Sequence, residues 1–252
     1  MVIKNSIHFL LFVAVVSNVS CSSTAGLYRS LNSKNVSLKY IYDSDVRYQN
    51  AYHNVTIAKP EITDRRFSKS GRVTKTQAYF IPVIVYNEWK SIHHYEIGES
   101  AIQEDIPTFI QSAFVEESTR NGSFVASTTA LPDALTLEIE IDSIGATGPH
   151  VQKGFIFYGF FMYVTASTEV AGPGTAYSQF HYRLMKNDSI LLEDRVNSRK
   201  VTEPLISRHG STKVLRQAYT MDLVEALSQT FKSNIQLITN DIGVFLRKNE
   251  NN

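Results

Sequence analysis

Apolar side chains recur along this chain with two periods, and those periods divide it into helices and strands. Ile102, Ile106, Phe109, Ile110, Ala113 and Phe114 fall three or four positions apart, which predicts a helix. Ser100 and Gln103 have the spacing of a capping box. Pro107 lies within this stretch, so a regular start near Asp105 is the other reading; Asn121-Gly122 closes the helix. A longer helix is expected from Ser211 or Thr212. Leu215, Ala218, Met221, Val224, Leu227, Phe231, Ile235, Ile238, Ile242 and Phe245 keep its period almost to the polar end RKNENN.

The other apolar stretches alternate or are β-rich. Leu38 to Tyr42 and Val55 to Ile62 read as short strands, with Pro60 placing the second at an edge or a bulge. Arg65, Arg66, Lys69, Arg72 and Lys75 surround Ser70-Gly71 as a solvated hairpin or loop, with a phosphate or headgroup site as the alternative. Residues 76–86 (TQAYFIPVIVY) predict a strand broken at Pro82, with Trp89 just beyond. In residues 135–142 (LTLEIEID), Leu135, Leu137, Ile139 and Ile141 share one face, and Glu138, Glu140 and Asp142 the other. Carboxylates at every second position stand about 7 Å apart in a line, which suits a wet face rather than a metal site. After a glycine-containing loop, residues 155–164 (FIFYGFFMYV) are apolar on both faces. A turn at Gly172-Pro173-Gly174, a return over 176–185, a turn at Lys186-Asn187-Asp188 and a strand over 190–196 complete a three-stranded meander. The expected fold is α+β: a two-layer sandwich of an antiparallel sheet with two amphipathic helices packed on one face.

The N-terminus has another character. Lys4 precedes an apolar run from Ile7 to Val16, about half the ~20 residues that a spanning helix needs. Ser17 to Ser20 then lead to Cys21, the single cysteine. This is the plan of a secretory signal, and a lone cysteine excludes a disulfide framework. The segment resembles a bacterial lipobox, with Ser20 as the small residue before the cut and Asn18 where Leu is usual. The expected division is a signal peptide over 1–20, a lipidated tether over 21–37 and one domain over 38–252. Cys21 would carry the acyl groups, palmitate among them, that hold the protein to a membrane. Ser22, rather than Asp, favours sorting to the periplasmic face of the outer membrane. An ordinary signal peptide with an incidental thiol is the alternative. The Asn-x-Ser/Thr triplets at Asn35, Asn54, Asn121 and Asn187 are expected by chance in so Asn-, Ser- and Thr-rich a chain.

Once Lys4 is removed, basic and acidic residues are equal in number, and no polybasic run points to nucleic acid. No G-x-S-x-G, H-E-x-x-H or phosphate-cradling loop is present, and no cofactor is implied. His93-His94 read as surface histidines, since neighbours on a strand point apart, and Ser211 near His209 reads as a cap. The informative stretch is 155–164. Phe155, Phe157, Tyr158, Phe160, Phe161 and Tyr163 form the expected binding surface for an envelope protein complex or phospholipid. Two rows are possible on alternation: Ile156, Tyr158, Phe160 and Met162, or Phe155, Phe157, Phe161 and Tyr163. A third layer, residues 38–62 folding across, would instead bury them. A strand of an oligomeric outer-membrane pore fits less well, because Gln179, His181 and Arg183 make the return strand polar. An unrecognised secreted hydrolase is the remaining alternative. The oligomeric state is not readable.

Five features together resemble the ABC-type transport auxiliary lipoproteins, partners of transporters that move phospholipid between bacterial membranes. They are Cys21, Trp89 between the first core strand and the first helix, the helix-end phrase ESTRNGSFVAS, the strand LTLEIEID and the closing LVEALSQTF. The resemblance spans roughly residues 76–240; residues 38–75 depart from the family's N-terminal strand pattern. It implies an anchored, non-enzymatic component of an envelope assembly, with no catalytic residues to carry over.

Overall fold

The computed structural model describes residues 36–43, 54–58, 61–62, 72–81, 86–98, 101–121, 124–129, 134–159, 162–208 and 212–250. In chain order the elements are β1 (Asn54–Ile57), β2 (Glu61–Ile62), β3 (Arg72–Ile81), β4 (Tyr86–Glu96), α1 (Ile106–Asn121) and β5 (Val125–Ser127). There follow β6 (Leu135–Gly159), β7 (Met162–Ala171), β8 (Thr175–Lys186), β9 (Ser189–Val201), β10 (Leu205–Arg208) and α2 (Thr212–Glu250). Two helices pack against one face of a mostly antiparallel sheet, the expected two-layer α+β fold. Short parallel pairings, β1 with β5 and β6 and β2 with β6, are the exception.

The helices form as their periods dictate. Asp105 caps α1: its carboxylate accepts from the Thr108 hydroxyl at 2.5 Å and the Thr108 amide at 3.3 Å. Pro107 is tolerated because first-turn amides have no intrahelical acceptor. Ser100 of the expected capping box lies outside the described residues. Its partner Gln103 accepts a hydrogen bond from the Ser37 hydroxyl at 2.7 Å. In α2 the buried line is Leu215, Tyr219, Leu223, Leu227, Phe231, Ile235, Ile238, Ile242 and Leu246. The expected Met221 is 45% exposed. Each step of three residues lags the 3.6-residue turn by about 60°, so two in a row through 218 and 221 rotate off the buried face, whereas a step of four leads it by only about 40°. Phe231 is central, 5.9 Å from Phe180 on the sheet and 6.3 Å from Phe109 on α1, ring centre to ring centre. Burying such a ring contributes about 1.5–3 kcal/mol. A polar seam crosses the same layer: Asn234 donates to the Ser178 carbonyl at 3.1 Å, and Ser178 donates to Thr230 at 3.0 Å.

The sheet departs from the expected meander in one instructive way. Residues 143–154, expected as a loop, are strand, so the two apolar stretches belong to a single 25-residue β6. Gly172-Pro173-Gly174 does not reverse the chain. β7 and β8 both run antiparallel to β6 on the same side, β7 along 150–159 and β8 along 136–147. β9 continues as β10 in the same manner, so three long paths lie side by side. Both interruptions fall at one level and are stitched together. The Gly172 amide donates to the Pro149 carbonyl (2.8 Å), the Thr202 amide to the Gly174 carbonyl (2.9 Å), and the Gly174 amide to the Thr202 hydroxyl (2.9 Å). The result is a crease that divides a core sheet under the helices from an arm made of β3, β4, the end of β6, β7 and β10. Along these paths the chain reverses at the β8–β9 turn, where Asn187 and Asp188 take positive φ as a tight hairpin turn requires, and at the β6–β7 connection.

Glycines permit the crease. A Cβ on Gly148 would stand 1.9 Å from the Tyr219 hydroxyl, and one on Gly145 would stand 2.4 Å from the Tyr177 ring. These glycines mark close approach of another part of the chain, not loops.

Residues 36–43 are not a sheet strand. Apart from a bridge between Val36 and Ile102, they form an extended strap over the two helices. The Leu38 amide donates to Glu104 (2.8 Å), the Lys39 amide to Ser228 (3.1 Å) and the Tyr40 hydroxyl to Glu117 (2.9 Å). Arg120 stacks over Tyr42, and Asp43 binds Lys232 and Gln236. The strap lies on the helices and β1 sits within the sheet, so neither forms a third layer on the other sheet face.

Candidate functional site

The arm carries the aromatic stretch. β6 pairs with β4 from Tyr86↔Phe157 to Glu96↔Thr147 and with β7 from Gly159↔Met162 to His150↔Ala171. Directly paired residues share a face. Glu169 and Ala171 are buried on the helix side, as is His150. Alternation therefore puts Val151, Lys153, Phe155 and Phe157 on the outer face, with Ile92, Lys90 and Glu88 from β4 and Val170, Thr168, Ala166 and Val164 from β7. Ile206 on β10 is paired with Val170 and joins them. Phe155 and Phe157 are half-buried, and Val164 and Ile206 are 44% and 59% exposed.

At the root of the arm lies a buried polar cluster. His150 is hydrogen-bonded through Nε2 to Glu169, and Arg216 Nε stands 3.4 Å from the same carboxylate oxygen. His93 is the register partner of His150, with ring centres 6.2 Å apart, and its Nε2 lies 2.5 Å from the Ser91 hydroxyl. Burial first, then the neighbouring His150 and Arg216, hold the His93 imidazolium pKa below its ordinary value. His93 Nδ1 has no hydrogen-bond partner among the described residues. Ser91 and His93 thus form a dyad without the carboxylate that would orient the ring, because Glu169 is engaged by His150 and Arg216. The cluster ties α2 to β4, β6 and β7, and Tyr219 beside it lies against Gly148, Gly172 and Gly174. The opposite face of the core sheet is an ion-pair lattice: His181 meets Glu193 (2.8 Å) and Glu140 (3.5 Å), and Arg195 meets Asp142 (3.8 Å). The row of acids is thus neutralised across strands. Among the described residues no group of three His, Cys, Asp or Glu side chains is placed to hold a metal, and no helix is long and apolar enough to cross a membrane.

The residues expected to form one aromatic row are distributed differently. Phe155 and Phe157 share the outer face, with Val164 beside Phe157. Tyr163, 60% exposed, is the register partner of Tyr158, so it does not continue the Phe155–Phe157 row. The chain reverses between Gly159 and Met162, and unbroken alternation cannot be carried through that reversal. Phe160, Phe161, Cys21, His209 and Ser211 lie outside the described residues. Trp89 falls within β4, between Ala78 and Gly154, rather than beyond a strand. His93 and His94 do point apart, yet His93 is buried and only His94 is exposed. The His150–Glu169–Arg216 group was not legible: His150 sits in a segment read as a loop, and no local spacing links it to α2.

No family model matches the chain, and no curated protein matches it by sequence. Among solved structures, the chain is similar to the crystal structure of protein XCC0632 from Xanthomonas campestris, described under family DUF330. The TM-score is 0.44 at 8% sequence identity, over 86% of this chain and 98% of that one.

Proposed function

We propose that the chain is an exported lipoprotein, acylated at Cys21, that serves without catalysis as a component or adaptor of an envelope transport or assembly complex. It would stand on the periplasmic face of the outer membrane and bind protein or lipid through the arm. The observation that carries this reading is the arm itself. It extends the sheet past the crease and offers an outer face of Phe155, Phe157, Val164 and Ile206, with Tyr163 exposed at its end. Exposed apolar surface of this kind marks an interaction site more often than a solvated surface. The unoriented Ser91–His93 dyad and the engagement of Glu169 by Arg216 support a non-catalytic role.

The test is co-purification from native membranes, with identification of the proteins and lipids retained. Tyr163→Ser with Val164→Ser should leave the circular dichroism of the parent intact and remove the retained partner; retention by that folded variant defeats the reading. Cys21→Ser should move the protein to the soluble fraction, and labelled palmitate should mark only the parent. A secreted hydrolase is the second reading, favoured by the 2.5 Å contact of Ser91 with His93. Loss of any esterase or amidase activity in Ser91→Ala would support it against the first.

A further inference from the structure

The outer face of the arm is ordered in cross-strand rows, and one row is out of character. Ile92, Val151, Val170 and Ile206 form an aliphatic row across four strands. Phe155 with Ala166, then Phe157 with Val164, form apolar rows towards the tip. Between them Lys90 and Lys153 are direct register partners and both are exposed. Thr168 continues this row on β7, and Arg208 takes the next position on β10. Like charges directly opposite on a sheet are unfavourable, and neither lysine is ion-paired among the described residues. Two acidic residues of β4 share this face: Glu96 lies at the crease end, opposite Thr147, and Glu88 sits opposite Phe155, one row nearer the tip, with no ion pair to either lysine.

An adjacent lysine pair with an aliphatic row on one side, and Phe155 and Phe157 beside Glu88 on the other, has the composition of a surface that lies on a bilayer. Lysine stems cover apolar area while the ammonium groups reach the phosphate level, and the flanking side chains meet the acyl boundary. Anionic headgroups would also relieve the repulsion between the two ammonium groups. From this charge complementarity we infer that the outer face of the arm docks on a membrane surface rich in anionic phospholipid, with Lys90 and Lys153 as its headgroup contacts. The inference rests on the arm being the binding surface, and it names the ligand as the headgroup phosphate of an anionic lipid in a bilayer.

The experiment uses the full chain carrying Cys21→Ser, so that no acyl group contributes. It is sedimented with vesicles of phosphatidylcholine alone, or of phosphatidylcholine mixed with phosphatidylglycerol. Binding is expected to the mixed vesicles, weakened by salt, and not to phosphatidylcholine alone. Lys90→Glu with Lys153→Glu should weaken it at least about tenfold. The same reversal at Arg199 and Lys200, exposed on β9, should change it little. If the double reversal fails to fold, Lys90→Gln with Lys153→Gln provides the same comparison, with a smaller loss. The inference is overturned if the parent ignores the anionic vesicles, which would leave the lysine pair to an acidic protein surface. It is also overturned if binding is independent of phosphatidylglycerol, if the lysine variants bind like the parent, or if the β9 reversal is equally damaging. Co-purification from membranes and palmitate labelling are read separately, so this face can fail while the adaptor reading stands, or the reverse.

Discussion

The hydroxyl of Tyr219 occupies the space that a side chain on Gly148 would need: a Cβ there would stand 1.9 Å from the oxygen and 2.8 Å from the Gly174 backbone. Helix and crease are thereby fitted to each other. Gly148→Ala should cost about 1–3 kcal/mol or more in urea unfolding, the ordinary penalty of overpacking. Tyr219→Phe removes the closest atom, so adding Gly148→Ala to it should cost less than the sum of the two changes. The remaining Gly174 contact should prevent full rescue. Strict additivity would mean that the two residues do not meet.

Glu169 is the counter-ion of Arg216 in a nearly closed site. Glu169→Gln should destabilise the protein by roughly 3–5 kcal/mol, the usual consequence of leaving one partner of a buried pair charged and alone. Replacing Arg216 by Met in the same chain should recover part of the loss. Thermal unfolding of the single and double variants measures both.

His93 binds its proton less tightly when folded than when unfolded. The sign follows from linkage: the unfolded chain takes up more protons as pH falls below the ordinary value of 6.5, so this contribution is complete above that value and is lost as pH falls towards the depressed folded value. Stability followed from pH 7 downwards should decline, and His93→Gln should flatten that part of the curve. A curve as steep in the variant as in the parent would assign the dependence to other groups.

Asp43 is held below its ordinary value of 3.8, first by its hydrogen bond from Lys232 and then by that from Gln236. Its hold on α2 is therefore present above that value and is lost as pH falls through the depressed one. The protection of the Leu38 and Lys39 amides, whose N–H groups donate to Glu104 and Ser228, should fall in acid when exchange is measured relative to the intrinsic rate at each pH. Asp43→Asn should show the lower protection already at neutral pH. Equal exchange in parent and variant would show that the strap does not depend on this residue.

The two helices were legible because their signal is local: apolar residues at helical spacing identify α1 and α2 whatever they pack against. The strand character of 135–142 and 155–164 was legible for the same reason. Their union was not. Gly145, Gly148 and Pro149 read as breakers, yet the glycines admit Tyr177 and Tyr219, which approach from other elements. Gly172-Pro173-Gly174 likewise read as a reversal, because turn chemistry in sequence does not distinguish a reversal from a kink between strands that both keep the same partner. The aromatic stretch was found by composition, but its division between faces depended on where the chain turns back. The polar cluster joins Ser91, His150, Glu169 and Arg216 from four elements, and no window of sequence contains it.

The crease has a mechanical consequence. From His150 to Gly159 the arm runs about 30 Å at ordinary strand rise, and at its root it bears on α2 through Glu169 and Arg216. It is a cantilever fixed at one end, with hydrogen bonds continuing along β6 where the neighbouring paths are interrupted. A sideways load at Tyr163 is thus converted to torque at Tyr219 and the Glu169–Arg216 pair, on the opening turns of the same helix to which Asp43 is fastened through Lys232 and Gln236.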